Sequence, residues 1–204
     1  MTEKIIVSTS FGKDSTAMIH LMLDAGIQID TAMYFESGWD FPQMERHIEQ
    51  VVANTGIKLI RVRYYRHFDE LLGRWGWPHP KGGWCVDAKI KTCNKLFRGL
   101  HGTVENIGFT TDEIRRTKRP ALKKKKWQVR FPLIECGFSE ADCLSYCRSL
   151  GYDWGGLYDV FNRVSCFCCP KAGGKRIDQL RANFPDLYER YLKMNEIATN
   201  KEEL

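Results

Sequence analysis

Short apolar runs alternate along this chain with segments whose apolar residues recur at helical spacing, which predicts βαβ units and a mostly parallel sheet. Ile5-Ile6-Val7 centres a first strand over residues 4–8, and Ala17 to Leu23 carries a helix over about residues 14–25, closed by Gly26. Residues 31–35 read as a second strand, and Pro42 suits the first turn of a helix that reaches Thr55 and stops at Gly56. Over residues 58–64, Leu59, Arg61 and Arg63 alternate with Ile60, Val62 and Tyr64, the period of a third strand. A helix over 68–75 follows, then a Gly- and Pro-rich surface loop over 76–83, a helix over 87–100 and a strand over 104–109. Residues 129–133 give a short strand. Ser139 with Asp142 forms a capping box for a helix that places Cys143, Leu144 and Cys147 on one face and ends near Gly151. Residues 177–199 are helical, with Pro185 starting the last element. The expected fold is α/β: a Rossmann-like open parallel sheet with helices on both faces and a small cysteine-bearing C-terminal part.

Composition narrows the setting. The 204 residues suffice for one α/β domain, and no stretch reaches the ~18 to 20 apolar residues that span a bilayer. The start Met-Thr-Glu-Lys-Ile-Ile-Val enters a strand at once, so a cytoplasmic location without membrane attachment is expected. Eight cysteines in that setting read as ligands, reactive thiols or small core residues rather than disulfides. The formal net charge of +6 is concentrated in residues 115–130, a segment without periodicity that reads as a mobile loop. Such a density of Arg and Lys suits either a polyanion partner, tRNA or DNA, or a solvated surface.

The candidate chemistry follows the strands. After the first comes Ser10-Phe11-Gly12-Lys13-Asp14-Ser15-Thr16, running straight into a helix. Gly12 lets backbone approach an anion, the hydroxyls and the first helical N–H groups face it, and Lys13 adds charge. Asp14 can reach magnesium or cap the helix. Neither Gly-x-x-x-x-Gly-Lys-Ser/Thr nor Gly-x-Gly-x-x-Gly is present. After the second strand comes Glu36 to Pro42, and after the fourth come Gly108, Asp112, Glu113, Arg115 and Arg116, acids for a metal and arginines for phosphate oxygens. Cys166-x-x-Cys169 with Cys85 and Cys93 offers four thiolates to a metal centre, with buried free cysteines as the other reading.

The loop resembles the Ser-Gly-Gly-x-Asp-Ser PP-loop of ATP pyrophosphatases and their relatives, the phosphoadenosine phosphosulfate (PAPS) reductases, with Phe11 in place of the first glycine. The likeness extends through Glu36 to Pro42, Trp84-Cys85-Val86 with Lys89 and Lys91, Gly108 to Ile114, Pro132-Leu133, Ser139 to Asp142, Leu157-Tyr158-Asp159 and Arg163 to Pro170, over roughly residues 4–172. It departs at Thr110, where the family has arginine, and at Ile114, where it has serine. The resemblance implies an adenine nucleotide alpha hydrolase-like domain over 1–172, with residues 173–204 a helical extension packed on it. It implies ATP held by Ser8, Ser10, Phe11, Gly12, Lys13, Asp14, Ser15, Thr16, Glu36, Gly108 and Arg116. Magnesium would sit on Asp14, Asp112 and Glu113, and Lys13, Asp14, Asp112 and Arg115 would act in catalysis. It favours a [4Fe-4S] cluster over zinc on Cys85, Cys93, Cys166 and Cys169.

Thioredoxin-dependent reductases carry a C-terminal Glu-Cys-Gly-Leu-His, whereas residues 200–204 read Asn-Lys-Glu-Glu-Leu, and the loop keeps Lys13 and Asp14. The expectation is therefore an ATP pyrophosphatase that adenylates an acceptor, for sulfur transfer to tRNA or DNA, with a sulfur-donor protein and a homodimer as further expectations. The alternatives are an iron-sulfur reductase of PAPS or adenylyl sulfate, and a non-enzymatic cysteine-metal module that binds nucleic acid.

Overall fold

The computed structural model describes residues 3–79, 82–164 and 166–199; Pro80 and Lys81 of the expected loop, Ser165 of the cysteine motif and residues 200–204 lie outside it. Five parallel strands make one open sheet: β1 (Ile5–Thr9), β2 (Thr31–Phe35), β3 (Leu59–Val62), β4 (Val104–Ile107) and β5 (Gln128–Arg130), in the order β3-β2-β1-β4-β5. The α/β sheet that the pattern predicts is present. β1 is central because its apolar residues feed both faces. Ile6 packs with Met33 and Phe97 on one side, and Val7 joins Ala17, Met18 and Ile19 in the main core on the other.

Helix α1 (Lys13–Asp24) follows β1, and α2 (Gln43–Thr55) ends at Gly56 in the left-handed region, φ 65°. After α3 (Phe68–Trp75), α4 runs over Trp84–Gly99, three residues earlier than the sequence predicts. The Trp84 ring explains the early start: it packs edge-on against Trp39 and Phe68, and its indole N–H donates to the Gly76 carbonyl at 3.1 Å. That anchor draws Cys85 into the first turn.

The basic segment is ordered, contrary to the expectation of a mobile loop. It forms a 3-10 helix over Thr111–Lys118, then α5 (Pro120–Lys123), then β5. The anchor is Glu105, 3% exposed on β4, which accepts from Ser8 Oγ at 2.7 Å, from Trp127 Nε1 at 2.7 Å and from the Lys125 ammonium. Trp127 also stacks on Phe97 with ring centroids 4.4 Å apart. Only tertiary contact reveals this, since the partners come from three elements.

The strand expected over 129–133 is cut short because Pro132 begins α6 (Pro132–Glu135). The capping box on Ser139 and Asp142 forms as predicted and opens α7 (Glu140–Ser149), whose Cys143 and Cys147 are fully buried core residues. After α8 (Leu157–Val160), α9 (Gly174–Asn183) and α10 (Pro185–Thr199) complete the described chain. α10 packs against α3, and Trp77 Nε1 donates to Asn195 Oδ1 at 2.7 Å.

His47 on α2 lies buried between Trp154 and Tyr152, with Nε2 3.2 Å from Thr16 Oγ1, and burial lowers its pKa to about 4. It stays neutral in the fold while the unfolded chain takes up a proton below pH ~6.5. Unfolding free energy is therefore expected to fall by up to roughly 3 kcal/mol as pH drops from 6.5 to 4, and His47→Gln to flatten that slope in urea titrations across the range.

Candidate functional site

The sheet order reverses at β1. β2 lies on one side of it and β4 on the other, so the segments after β1 and β4 face each other across the crevice where open α/β sheets bind ligands. Their contact is close. A Cβ built on Gly108 would stand 3.2 Å from Ser15 N and Cα, so only glycine lets the end of β4 meet the first turn of α1 without displacing it.

Within the loop, Phe11 adopts φ 53°, in the left-handed region that favours glycine. Its ring is fully buried and meets Tyr34 edge-on at 5.6 Å, while its carbonyl accepts from Trp154 Nε1 at 2.8 Å and from Thr16 Oγ1 at 3.2 Å. Phe11 therefore shapes the loop from beneath; its side chain does not line the mouth. Ser15 Oγ donates to the Gly12 carbonyl at 3.2 Å and lies 3.3 Å from Ser10 N, drawing the turn together.

Lys13 is the loop's charged centre. Its side chain is only 7% exposed, and its ammonium donates to Asp14 Oδ1 and to Glu140 Oε2, each at 2.7 Å. Burial works against that charge, but the two carboxylates outweigh it and hold the Lys13 pKa above its ordinary value. Asp14 is shifted upward by burial, only partly opposed by Lys13. The backbone N–H of Lys13 donates to Tyr158 Oη at 2.8 Å. Glu140 and Tyr158 were visible in the sequence only as parts of a capping box and of Leu-Tyr-Asp. That Glu140 opens α7, directly after its cap, was the one local signal that it faces a neighbouring element.

The other expected residues divide. Asp112 accepts from the Glu140 N–H at 2.7 Å and so ties the 3-10 helix to α7. Glu113 pairs with Arg116, whose guanidinium lies 4.2 Å over the Phe109 ring, itself stacked on Phe131. Arg115 is exposed at the segment's surface. Ser8 is turned to Glu105 within the sheet, away from the loop mouth. Glu36 is bound by Arg61 and Arg63, which overcome the effect of burial and hold its carboxyl below the usual range. It borders a cavity of about 200 Å³ at the end of β2, lined also by Tyr34, Asp40, Phe41 and Met44. Tyr34 also packs edge-on against Phe11 beneath the loop.

The four expected metal thiols do not gather. Cys85 and Cys166 each have Cys169 as an electrostatic neighbour, whereas Cys93 lies near Lys89, Glu105 and Lys125. The early start of α4 explains this, because eight residues of helix separate Cys85 from Cys93 by about 12 Å along the axis. Among the described residues no three Cys, His, Asp or Glu side chains form a metal-holding group, so a four-thiolate centre does not fit this arrangement. The same holds for the carboxylates, with Asp112 engaged by the Glu140 N–H and Glu113 by Arg116. Asp14 lies beside the loop, and magnesium is commonly held by one or two carboxylates together with substrate phosphates.

Fold and loop together define an α/β protein whose Ser10–Thr16 loop opens at the switch point of a parallel sheet. Residues 4–172 match the phosphoadenosine phosphosulfate reductase domain, and the chain belongs to that family, within the adenine nucleotide alpha hydrolase-like fold. The chain is 26% identical over 198 residues to an uncharacterized protein of Methanocaldococcus jannaschii, covering 92% of this chain but 40% of that relative's length. A crystal structure of the PAPS reductase from Candida auris, in a phosphate complex, superposes with a TM-score of 0.58 at 13% identity, covering 81% of this chain and 82% of that one; it shares the fold. No helix among the described residues is long and apolar enough to cross a membrane.

The family binds adenine nucleotides. Gly108→Ala is expected to push the first turn of α1 by a few tenths of an ångström and weaken that binding about tenfold, with the melting temperature nearly unchanged. Titration calorimetry with ATP alongside a thermal melt checks both.

Proposed function

We propose that this protein is a PP-loop ATP pyrophosphatase that adenylates an acceptor, with sulfur transfer to a nucleic acid as the reaction it serves. The observation that carries the reading is the adjacent Lys13 and Asp14 at the loop mouth, an ammonium and a carboxylate side by side where a triphosphate and its magnesium need them. An acceptor oxygen attacks the α-phosphorus, the bond to the β-phosphate oxygen breaks, and pyrophosphate leaves carrying the charge. Lys13 and the α1 N-terminus, with the Ser10 and Ser15 hydroxyls, bind the departing phosphates and stabilise that charge. Asp14 would hold magnesium, which supplies further charge stabilisation when bound. The cavity beside Glu36 takes the base, since it lies at the end of β2, the strand paired with the one that leads into the loop. No step is assigned to the cysteines.

The acceptor is read from the segment after β4. Arg115, Lys118, Arg119, Lys123, Lys124 and Lys126 are exposed and have no acidic partner among the described residues, and the segment holding them leads directly away from the crevice. Phosphate contacts of this kind release counterions, so affinity for nucleic acid falls with salt by a log–log slope of about 0.7 to 0.9 per contact. Replacing Lys123, Lys124 and Lys126 together by Gln is expected to lower the slope for bulk tRNA or duplex DNA by about 2, read from binding isotherms at several salt concentrations. Equilibrium dialysis tests the nucleotide. ATP with magnesium binds more tightly than PAPS if the reading is right, and preference for PAPS favours the sulfonucleotide reductase instead.

A further inference from the structure

Both phosphate-seeking groups of Lys13 are taken by partners from distant parts of the chain. The first N–H of α1 has no side-chain cap from Gly12; it is satisfied by the Tyr158 hydroxyl, an oxygen 2.8 Å away. The same hydroxyl lies 3.0 Å from where a Cβ on Gly12 would stand, so it sits over the part of the loop that glycine opens to an anion. The ammonium is held by Glu140, 127 residues away, as well as by its neighbour Asp14. Glu140 is in turn fixed by Asp112, which accepts its backbone N–H. A phosphate entering this loop must compete with both.

The segment that delivers Tyr158 is distinctive. Trp154, Gly155 and Gly156 are consecutive left-handed residues, with φ 53°, 61° and 79°, and α8 begins immediately after them. Trp154 donates to the Phe11 carbonyl at 2.8 Å and its ring meets Tyr158 edge-on at 4.7 Å, so the turn grips the loop at two points four residues apart. Left-handed backbone at a tryptophan is costly and persists only when its surroundings impose it.

We propose that Tyr158 and Glu140 are gating residues of the phosphate loop: the Tyr158 hydroxyl stands in for a phosphate oxygen on the Lys13 N–H, Glu140 holds the Lys13 ammonium, and a bound pyrophosphate group displaces both. This rests on the reading that the loop takes the phosphates of ATP. Gating sets the affinity for anions, because any ligand too weakly charged to outcompete a carboxylate and a phenol oxygen is refused.

The probe is inorganic pyrophosphate without divalent metal, titrated calorimetrically into the full chain and into Tyr158→Phe, Glu140→Gln and the double variant. Each single variant is expected to bind pyrophosphate about tenfold tighter than the native chain, and the double variant tighter than either. A purely structural role for these side chains would lower the melting temperature without tightening binding. Unchanged or weaker binding in both single variants overturns the gating proposal while leaving the functional reading intact, provided the native chain binds. Should Tyr158→Phe not fold, Glu140→Gln decides the matter alone, since Glu140 is 43% exposed at the site mouth. If no variant and not the native chain binds pyrophosphate or ATP, both the gating proposal and the functional reading fall.

Discussion

Lys13→Ala is expected to lower the efficiency of AMP formation from ATP by at least about 100-fold, with kcat carrying most of the loss. The reason is where charge builds. In the proposed reaction negative charge grows on the β-phosphate oxygens as pyrophosphate departs, and Lys13, the first residue of α1, would be the cation that meets it. Removing one preorganised electrostatic group of this kind typically costs 10²- to 10³-fold. The substitution also leaves Asp14 and Glu140 facing each other without their shared cation, and their repulsion adds to the loss of anion affinity. Both carboxylates are partly exposed, so water screens the pair and the fold is expected to survive. Steady-state kinetics with ATP, magnesium and acceptor, beside a thermal melt, separate a lost catalytic group from a lost fold.

Phe11→Ala is expected to lower stability by about 3 to 5 kcal/mol, the usual cost of removing a fully buried phenyl ring. Its ring supports the loop against Tyr34, and its carbonyl receives two donors that bind the loop to α1 and to Trp154. A comparison with Phe11→Gly isolates the backbone contribution. At an ordinary φ, glycine is less stable than alanine by roughly 0.5 to 1 kcal/mol because it leaves the unfolded chain freer. At φ 53° glycine avoids a strain of about 1 to 2 kcal/mol that alanine keeps. The glycine variant should therefore be at least as stable as the alanine variant in urea unfolding, reversing the usual order. This also gives a physical reason for glycine at this place in the PP-loop motif: the turn needs a left-handed residue, and here a buried ring compensates for the strain.

The parts of the fold that sequence revealed are those fixed locally. β1, the loop and α1 are consecutive, so an apolar run, small residues and a helical pattern suffice to place them, and β2 and α3 agree with expectation residue for residue. The basic segment was misread because its anchor is the buried Glu105, whose partners Ser8, Lys125 and Trp127 have no pattern in common along the chain. The placement of the cysteines was hidden for a similar reason. A helix start at Asp87 leaves Cys85 free to turn toward Cys93, but the Trp84 ring packs into the aromatic cluster and fixes both on one rigid helix. In the candidate site, the placement of Gly12, Lys13 and Asp14 at the start of α1 was legible from their spacing. Glu140 and Tyr158 were not, because each reaches the loop across more than 120 residues of chain.

The central claim is that the loop splits ATP between its α- and β-phosphates. Its most direct test incubates the full chain anaerobically with ATP labelled at the α-phosphate, magnesium, bulk tRNA or DNA and a sulfur donor, and resolves the products, with a parallel reaction that supplies PAPS and a thiol reductant. Labelled AMP with an equal amount of pyrophosphate, dependent on the nucleic acid and absent in Lys13→Ala, is the result expected. Intact ATP in the first reaction together with sulfite released in the second would contradict the account and assign the site to sulfonucleotide reduction.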